Sequence, residues 1–263
     1  MTPRCAARAE RIPILRSLRK AQTRRLPMST LALIPARGGS KELIGKNIRP
    51  LAGLPLIVHS LRLAGLCPEI GRTVVSTDDE EIAEVARVAG GEVLRRPADL
   101  ARDETPMLPV LQHALRSLDP ECRLHDLLLL LDPTSPGRLP GDVGRAHELI
   151  AAAADADGVV AVSEPAFNPI WHAVLDDGGY LRPLIPEGRG YGRRQDLPRV
   201  LRINAALYLF RADFLRREEE TWMNGRHLLL EIPEARAFHI DSEEDLALAE
   251  LKLTSGALTL PWL

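Results

Sequence analysis

Leu31-Ala-Leu-Ile34 runs directly into Pro35-Ala-Arg-Gly-Gly-Ser-Lys41-Glu-Leu-Ile-Gly-Lys46-Asn47, so an apolar run of strand length feeds a basic, glycine-rich loop. Backbone N–H groups and point charges converge in such a loop, which suits phosphate binding. Two of the chain's four lysines stand here, Lys41 and Lys46, in a sequence where arginine is otherwise the default cation. A compact ammonium is therefore wanted at these positions. The spacing is not that of a Walker P-loop, in which four residues separate two glycines and Lys-Ser/Thr follows. Five residues separate Gly39 from Gly45, and Asn47 stands where the Mg²⁺-binding hydroxyl belongs. No Gly-x-Gly-x-x-Gly fingerprint follows a strand, so dinucleotide binding has no support. Residue chemistry alone leaves two readings, a phosphate cradle or a basic surface turn.

Outward from this stretch, strand-like runs at Arg72–Ser76, Asp126–Leu131 and Gly158–Val162 alternate with helical periods at Pro55–Leu66, Asp79–Ala89, Pro106–Leu118 and Leu139–Ala154. Most of the strand runs are nearly continuous in apolar residues, as in a sheet covered on both faces. The alternation predicts an α/β fold, a doubly wound and mainly parallel sheet with ligands at the carboxyl ends of its strands. The rhythm breaks after Val162. Residues 164–203 are rich in Pro, Gly and Arg and carry Trp171, Tyr180 and Tyr191, which reads as an insertion of irregular hairpins. The core resumes with a strand at Ala205–Phe210 and a helix from Ser242 to Leu253, opened by the capping box Ser242-Glu-Glu-Asp245.

The 263 residues suffice for one large domain with an insertion. No stretch approaches the roughly 20 apolar residues of a membrane span. Cys5, Cys67 and Cys122 are too dispersed for a disulfide framework or a zinc site, and are expected to be reduced thiols in a cytoplasmic protein. Residues 1–27 carry seven arginines and Lys20 against Glu10 alone, so the rest of the chain is net acidic. That balance argues against a nucleic-acid surface on the folded part. The basic leader lacks a secretory apolar core, and Met28-Ser-Thr immediately precedes the first strand. Residues 1–28 are expected to be a disordered or mis-started extension, and 29–263 the domain.

Leu33-Ile-Pro-Ala-Arg-Gly-Gly-Ser-Lys41 with Lys46-Asn47 resembles the N-terminal signature of the acylneuraminate cytidylyltransferases, which couple a nucleoside triphosphate to a 2-keto-3-deoxy sugar acid. Further motifs follow in that family's order, as far as about Leu253. They are Ser76-Thr-Asp-Asp79, Arg96-Pro-Ala-Asp-Leu100, Leu131-Asp-Pro-Thr-Ser-Pro-Gly-Arg138, Arg194-Gln-Asp-Leu-Pro198, Arg202-Ile-Asn-Ala-Ala-Leu-Tyr208 and His239-Ile-Asp241. The resemblance implies a fold of the nucleotide-diphospho-sugar transferase type. Residues 164–203 would then be a dimerisation arm that helps complete the partner's site, making the protein a homodimer.

By the same resemblance Arg37 and Lys46 hold the triphosphate and act catalytically. Ala36, Gly38, Lys41 and Asn47 complete the nucleotide loop, and Arg96 joins it. The reaction needs such groups, because charge builds on the non-bridging and leaving oxygens as a hydroxyl displaces pyrophosphate from the α-phosphorus. The sugar acid falls to Asp132, Arg194, Gln195, Arg202, Asn204 and Tyr208, the arginines offering forks to its carboxylate. Mg²⁺ is the implied cofactor, with Asp241 as its ligand and Asp132 as a candidate second one.

Three positions depart from the family pattern. Glu42 replaces a frequent Gly. Asp132 replaces a Gln that contacts the sugar acid, exchanging a donor-acceptor for an anion that cannot donate. His239 replaces the first metal aspartate, and imidazole is a poor ligand for hard Mg²⁺. Asp132 also reads as an Asx-type cap for its proline-rich turn, and Thr77 or Asp78 as a helix N-cap. The expected function is transfer of CMP from CTP to a sialic- or legionaminic-type nonulosonic acid. Two alternatives stay open: a same-fold nucleotidyltransferase with another nucleotide or an eight-carbon acid, and a silent nucleotide-binding relative. Neither nucleic acid nor membrane is an expected partner.

Overall fold

The computed structural model of the chain describes residues 28–40 and 42–263; the expectations for residues 1–27 and for Lys41 lie outside the described residues. Thr30–Pro35 (β1) is buried along its whole length, and its alternate side chains serve two different cores. The chain continues through a tiny hairpin, Pro50–Leu51 (β2) and Leu54–Pro55 (β3), into Leu56–Gly65 (α1). Arg72–Thr77 (β4), Glu80–Val88 (α2), Glu92–Arg95 (β5), Met107–Leu118 (α3), Leu127–Leu130 (β6), Pro140–Ala152 (α4) and Gly158–Ser163 (β7) follow. The inserted segment then gives Pro169–His172 (α5), Val174–Asp177 (β8) and Tyr180–Pro183 (β9). The core resumes with Arg202–Arg211 (β10), Ala212–Arg217 (α6), His227–Glu231 (β11) and Glu243–Thr254 (α7).

Seven strands form the central sheet in the order β11-β7-β10-β6-β1-β4-β5. All neighbouring pairs are parallel except those of β10, which runs antiparallel to both β6 and β7. On one face Ala32, Ile34, Leu129 and Ala161 pack with Ile57 of α1, Ile82 of α2 and Ile150 of α4. On the other, Leu31, Leu33, Leu128 and Phe210 pack with Leu111 of α3 and Leu215 of α6. The period-2 alternation of β1 thus feeds both faces, each fully buried Leu or Ile contributing about 1.5–3 kcal/mol of transfer free energy. The expected doubly wound, mainly parallel sheet is present.

From β1 the chain moves one way to β4 and β5, then crosses back to β6 on the other side of β1. That reversal opens a crevice beyond the carboxyl ends of β1 and β6. The loop after β1 and the loop after β6 form its two lips.

Several local expectations are corrected. The strands β5 and β11 were not anticipated: β5 is a short edge strand reading Glu92-Val-Leu-Arg95, and β11 has only three apolar residues. The strand expected at Ala205–Phe210 begins at Arg202, and is interrupted by a register shift between Ile203 and Tyr208. Ala205 there has φ of 58°, a left-handed conformation unusual for a residue with a Cβ. The N-cap of α2 is Asp79, whose carboxylate accepts from the Ile82 amide at 3.0 Å, and not Thr77 or Asp78. Ser242 and Asp245 form the expected capping box on α7.

Candidate active site

Arg37, Ser40, Lys46, Asn47 and Arg96 line a cavity of about 520 Å³ with Met107, Asp132, Thr134, His239 and Asp241. Its first lip is the loop after β1. Ala36 is buried beneath it, and its amide donates to the Ser76 carbonyl at 2.9 Å. The Gly38 amide donates to the Asp78 carboxylate at 3.1 Å, tying this loop to the end of β4. A Cβ on Gly38 would lie 2.6 Å from Asp79 Oδ2, so the approach requires glycine. Gly45 (φ 64°) turns the chain into the short 3₁₀ turn Lys46–Ile48. Asn47 is buried there and donates to the Arg37 carbonyl at 2.9 Å, closing the loop on itself.

Cations at the lip are pre-positioned. Arg37 pairs with Asp103 at 2.7 Å, and Lys46 pairs with Asp241 at 2.7 Å. Arg96 is buried and donates to the Ser76 hydroxyl and carbonyl at 3.1 and 2.7 Å. Burial pulls its guanidinium down to about 10, with Asp78 opposing and Arg37 adding to the shift, so it remains a cation at neutral pH. Three positive groups thus converge where strand ends meet, an arrangement that suits polyphosphate.

The second lip follows β6. Asp132 Oδ1 accepts from the Thr134 amide at 3.1 Å and its hydroxyl at 2.7 Å, the Asx-type cap anticipated for this turn. Thr134 and Ser135 hydroxyls lie 2.9 Å from ring nitrogens of His239, and His239 Nε2 lies 3.4 Å from Asp241 Oδ1. Beneath them Arg138 is fully buried. It donates to the carbonyls of Asp132 and Ser135 at 2.8 Å, to that of Ala206 at 3.1 Å, and to the Ser60 hydroxyl. Cys67 is no nucleophile, since burial pushes its thiol up to about 12.

The cavity therefore unites Arg37, Lys46, Asn47, Arg96, Asp132 and Asp241. Arg194 and Gln195 line a separate depression of about 310 Å³ with Asn168 and Arg199. Arg202 Nη2 pairs with Glu234 at 2.7 Å and donates to the Ala237 carbonyl at 3.0 Å, and Arg202 is not in the cavity lining. Asn204 is buried, its Oδ1 accepting from the Ala206 amide at 3.1 Å while its Nδ2 has no partner among the described residues. Tyr208 packs on Phe210 and Trp222, and burial, aided by Asp132, raises its phenol to about 12. Among the described residues no three His, Cys, Asp or Glu side chains gather to cage a metal. Sequence reasoning missed the roles of Asp103, Glu234 and Arg138. The first two have no motif to mark them, whereas Arg138 stood inside a quoted motif and its burial alone reveals it.

The sheet is thus doubly wound, with the cavity at its topological switch point. A family model described as cytidylyltransferase matches residues 31–125. The chain is 34% identical over 239 residues to the CMP-N,N'-diacetyllegionaminic acid synthase of Legionella pneumophila, covering 88% of this chain and 100% of that one. It is 29% identical over 220 residues to the N-acylneuraminate cytidylyltransferase of Streptococcus agalactiae, covering 83% and 52% respectively. The fold is similar to that of CMP:2-keto-3-deoxy-manno-octonic acid synthetase in complex with CTP, with a TM-score of 0.67, 18% identity, and 87% and 99% of the two chains covered. The chain belongs to the acylneuraminate cytidylyltransferase family and is an enzyme of that type.

Proposed function

We propose that this protein transfers CMP from CTP to a nonulosonic acid of sialic or legionaminic type, releasing pyrophosphate. The observation that carries this reading is the single cavity joining Arg37, Lys46 and Arg96 to the Asp132–Thr134 turn. The full-length match to a legionaminic acid synthase supports the acceptor class. In the reaction the anomeric hydroxyl oxygen bonds to the α-phosphorus, the bond from that phosphorus to the bridging oxygen breaks, and pyrophosphate leaves. The hydroxyl proton passes to solvent. Arg37 and Lys46 offset the charge building on the phosphate oxygens, and Arg96 reinforces the field from its buried position. Ala36, Gly38, Lys41 and Asn47 are assigned to the nucleotide loop.

A divalent ion fits this donor set. Mg²⁺ takes one or two carboxylates plus substrate phosphates rather than an all-protein cage, and Asp241 borders the cavity beside Lys46. Bound there it would neutralise phosphate charge. His239 is assigned no ligand role; it braces Asp241 against Thr134 and Ser135.

Arg194, Gln195, Arg202, Asn204 and Tyr208 remain the residues proposed for the acceptor half. Those on the arm fit a site completed across a dimer, since Tyr180, Leu181 and Trp171 leave apolar surface exposed on residues 164–203. No helix among the described residues is long and apolar enough to cross a membrane.

The test is pyrophosphate release from CTP, with GTP and UTP as controls, Mg²⁺, and a panel of eight- and nine-carbon 2-keto acids. Release with CTP and a nine-carbon acid is expected. Release only with another nucleotide, or CTP binding without turnover of any acid, would overturn the reading.

A further inference from the structure

Among the described residues, Arg37 is held at one edge of its guanidinium. The fork carries five N–H groups, and its Nη1 lies 2.7 Å from Asp103 Oδ1, while no hydrogen bond engages Nε or Nη2. Both side chains line the cavity and are partly open to solvent, at 33% and 30% exposure. Asp103 stands on residues 101–106, between the 3₁₀ turn Ala98–Leu100 and α3. That link is fixed by its own bonds. The Thr105 hydroxyl donates to the Asp99 carbonyl and its amide to the Arg102 carbonyl, each at 3.2 Å. At its root the amide of the buried Arg96 donates to the Thr77 carbonyl at 2.8 Å, anchoring the link to the end of β4.

We propose that Asp103 is a positioning residue for Arg37: it takes one edge of the guanidinium and leaves the rest of the fork to the triphosphate. This rests on the function proposed above, and adds to it a residue that acts through Arg37 rather than on the nucleotide. A long side chain loses rotamer freedom when it binds a ligand, and an ion pair formed beforehand removes that cost. The carboxylate also repels phosphate oxygens, an effect of opposite sign. Pairing with Arg37 and contact with solvent weaken that repulsion, so ordering of the fork dominates. In a chain without the Arg37 guanidinium the balance inverts, since only the repulsion is left.

The experiment measures the dissociation constant for CTP with Mg²⁺, by titration calorimetry, in the native chain, D103N, R37M and the double variant. D103N is expected to weaken CTP binding about tenfold, the scale of ordering one long side chain. In the R37M background it is expected to cause no weakening, because the two residues act as one unit. The melting temperature of D103N should stay within about 2 °C of the native value, since the pair is partly exposed. Unchanged or tighter CTP binding by D103N in the native background overturns the inference; in the tighter case Asp103 is a counter-ion that phosphate displaces. Equal weakening in both backgrounds also overturns it, making Asp103 an independent contact or a support of the loop alone. If D103N lowers Mn²⁺ affinity, measured by electron paramagnetic resonance with CTP bound, Asp103 is a metal ligand and the inference is wrong. These results leave the reaction class intact. A native chain that does not bind CTP is a different result, which removes the proposed function itself and the role of Asp103 with it.

Discussion

Lys46 Nζ lies 2.7 Å from Asp241 Oδ1, joining the loop after β1 to the segment that leads into α7 across 195 positions of sequence. The pair is partly exposed, with Asp241 the more open side chain, so it contributes at most about 1 kcal/mol to stability. Its effect is to hold the ammonium at the cavity. K46M is expected to lower kcat/KM for CTP by about 10²–10³-fold, as loss of a charge-stabilising donor does, with a melting temperature within a few degrees of the native value. Steady-state pyrophosphate release and thermal denaturation check both halves; a large fall in stability with intact turnover would refute the assignment.

Arg138 has the opposite balance. Four groups from three segments depend on it, and Ser60, Ser135 and Ala206 are buried with it. R138M leaves these acceptors stranded and should cost at least about 3 kcal/mol, roughly 6–12 °C in melting temperature for a chain of this size. Denaturant titration measures it. A loss below about 1 kcal/mol would mean water replaces the guanidinium.

Stability should fall in mild acid through His59. It is buried, with Nε2–H donating to the Leu51 carbonyl at 2.9 Å and Nδ1 accepting from Trp262 Nε1 at 3.0 Å. Burial depresses its protonation below the ordinary value of 6.5, since a charged ring would lose solvation and could not accept from Trp262. The unfolded chain then binds the proton first, so stability is complete above about pH 6.5 and declines as pH falls through and below it. His113 and His125 are shifted the same way by burial. H59Q should therefore reduce, without abolishing, the slope of melting temperature between pH 7.5 and 5.5. An unchanged slope would rule His59 out.

The arm is expected to dimerise. Tyr180 and Leu181 are 80% and 72% exposed on the β8–β9 hairpin, which turns no buried residue toward the core. L181E should shift sedimentation from dimer toward monomer and reduce turnover without unfolding the domain. A native chain that sediments as a monomer at micromolar concentration would exclude this.

The sequence by itself determined the central strands and the glycine-rich loop after β1. Leu31–Ile34 and Leu127–Leu130 are apolar on both faces, and only a strand covered by helices on two sides buries such runs. Gly38, Gly45 and Lys46 mark the loop because backbone approach and local charge are properties of neighbours in sequence. Short polar strands were not legible: β5 depends on its place beside β4, and β11 on its place beside β7. Only the tertiary structure decided which charges face one another. Asp103 on Arg37, Asp241 on Lys46 and Glu234 on Arg202 are pairings across distant segments that leave no periodicity behind. The same holds for Asp132, whose substitution is plain in the sequence. That it lines the cavity is a fact about the space around it, and that space exists only once β1 and β6 lie side by side.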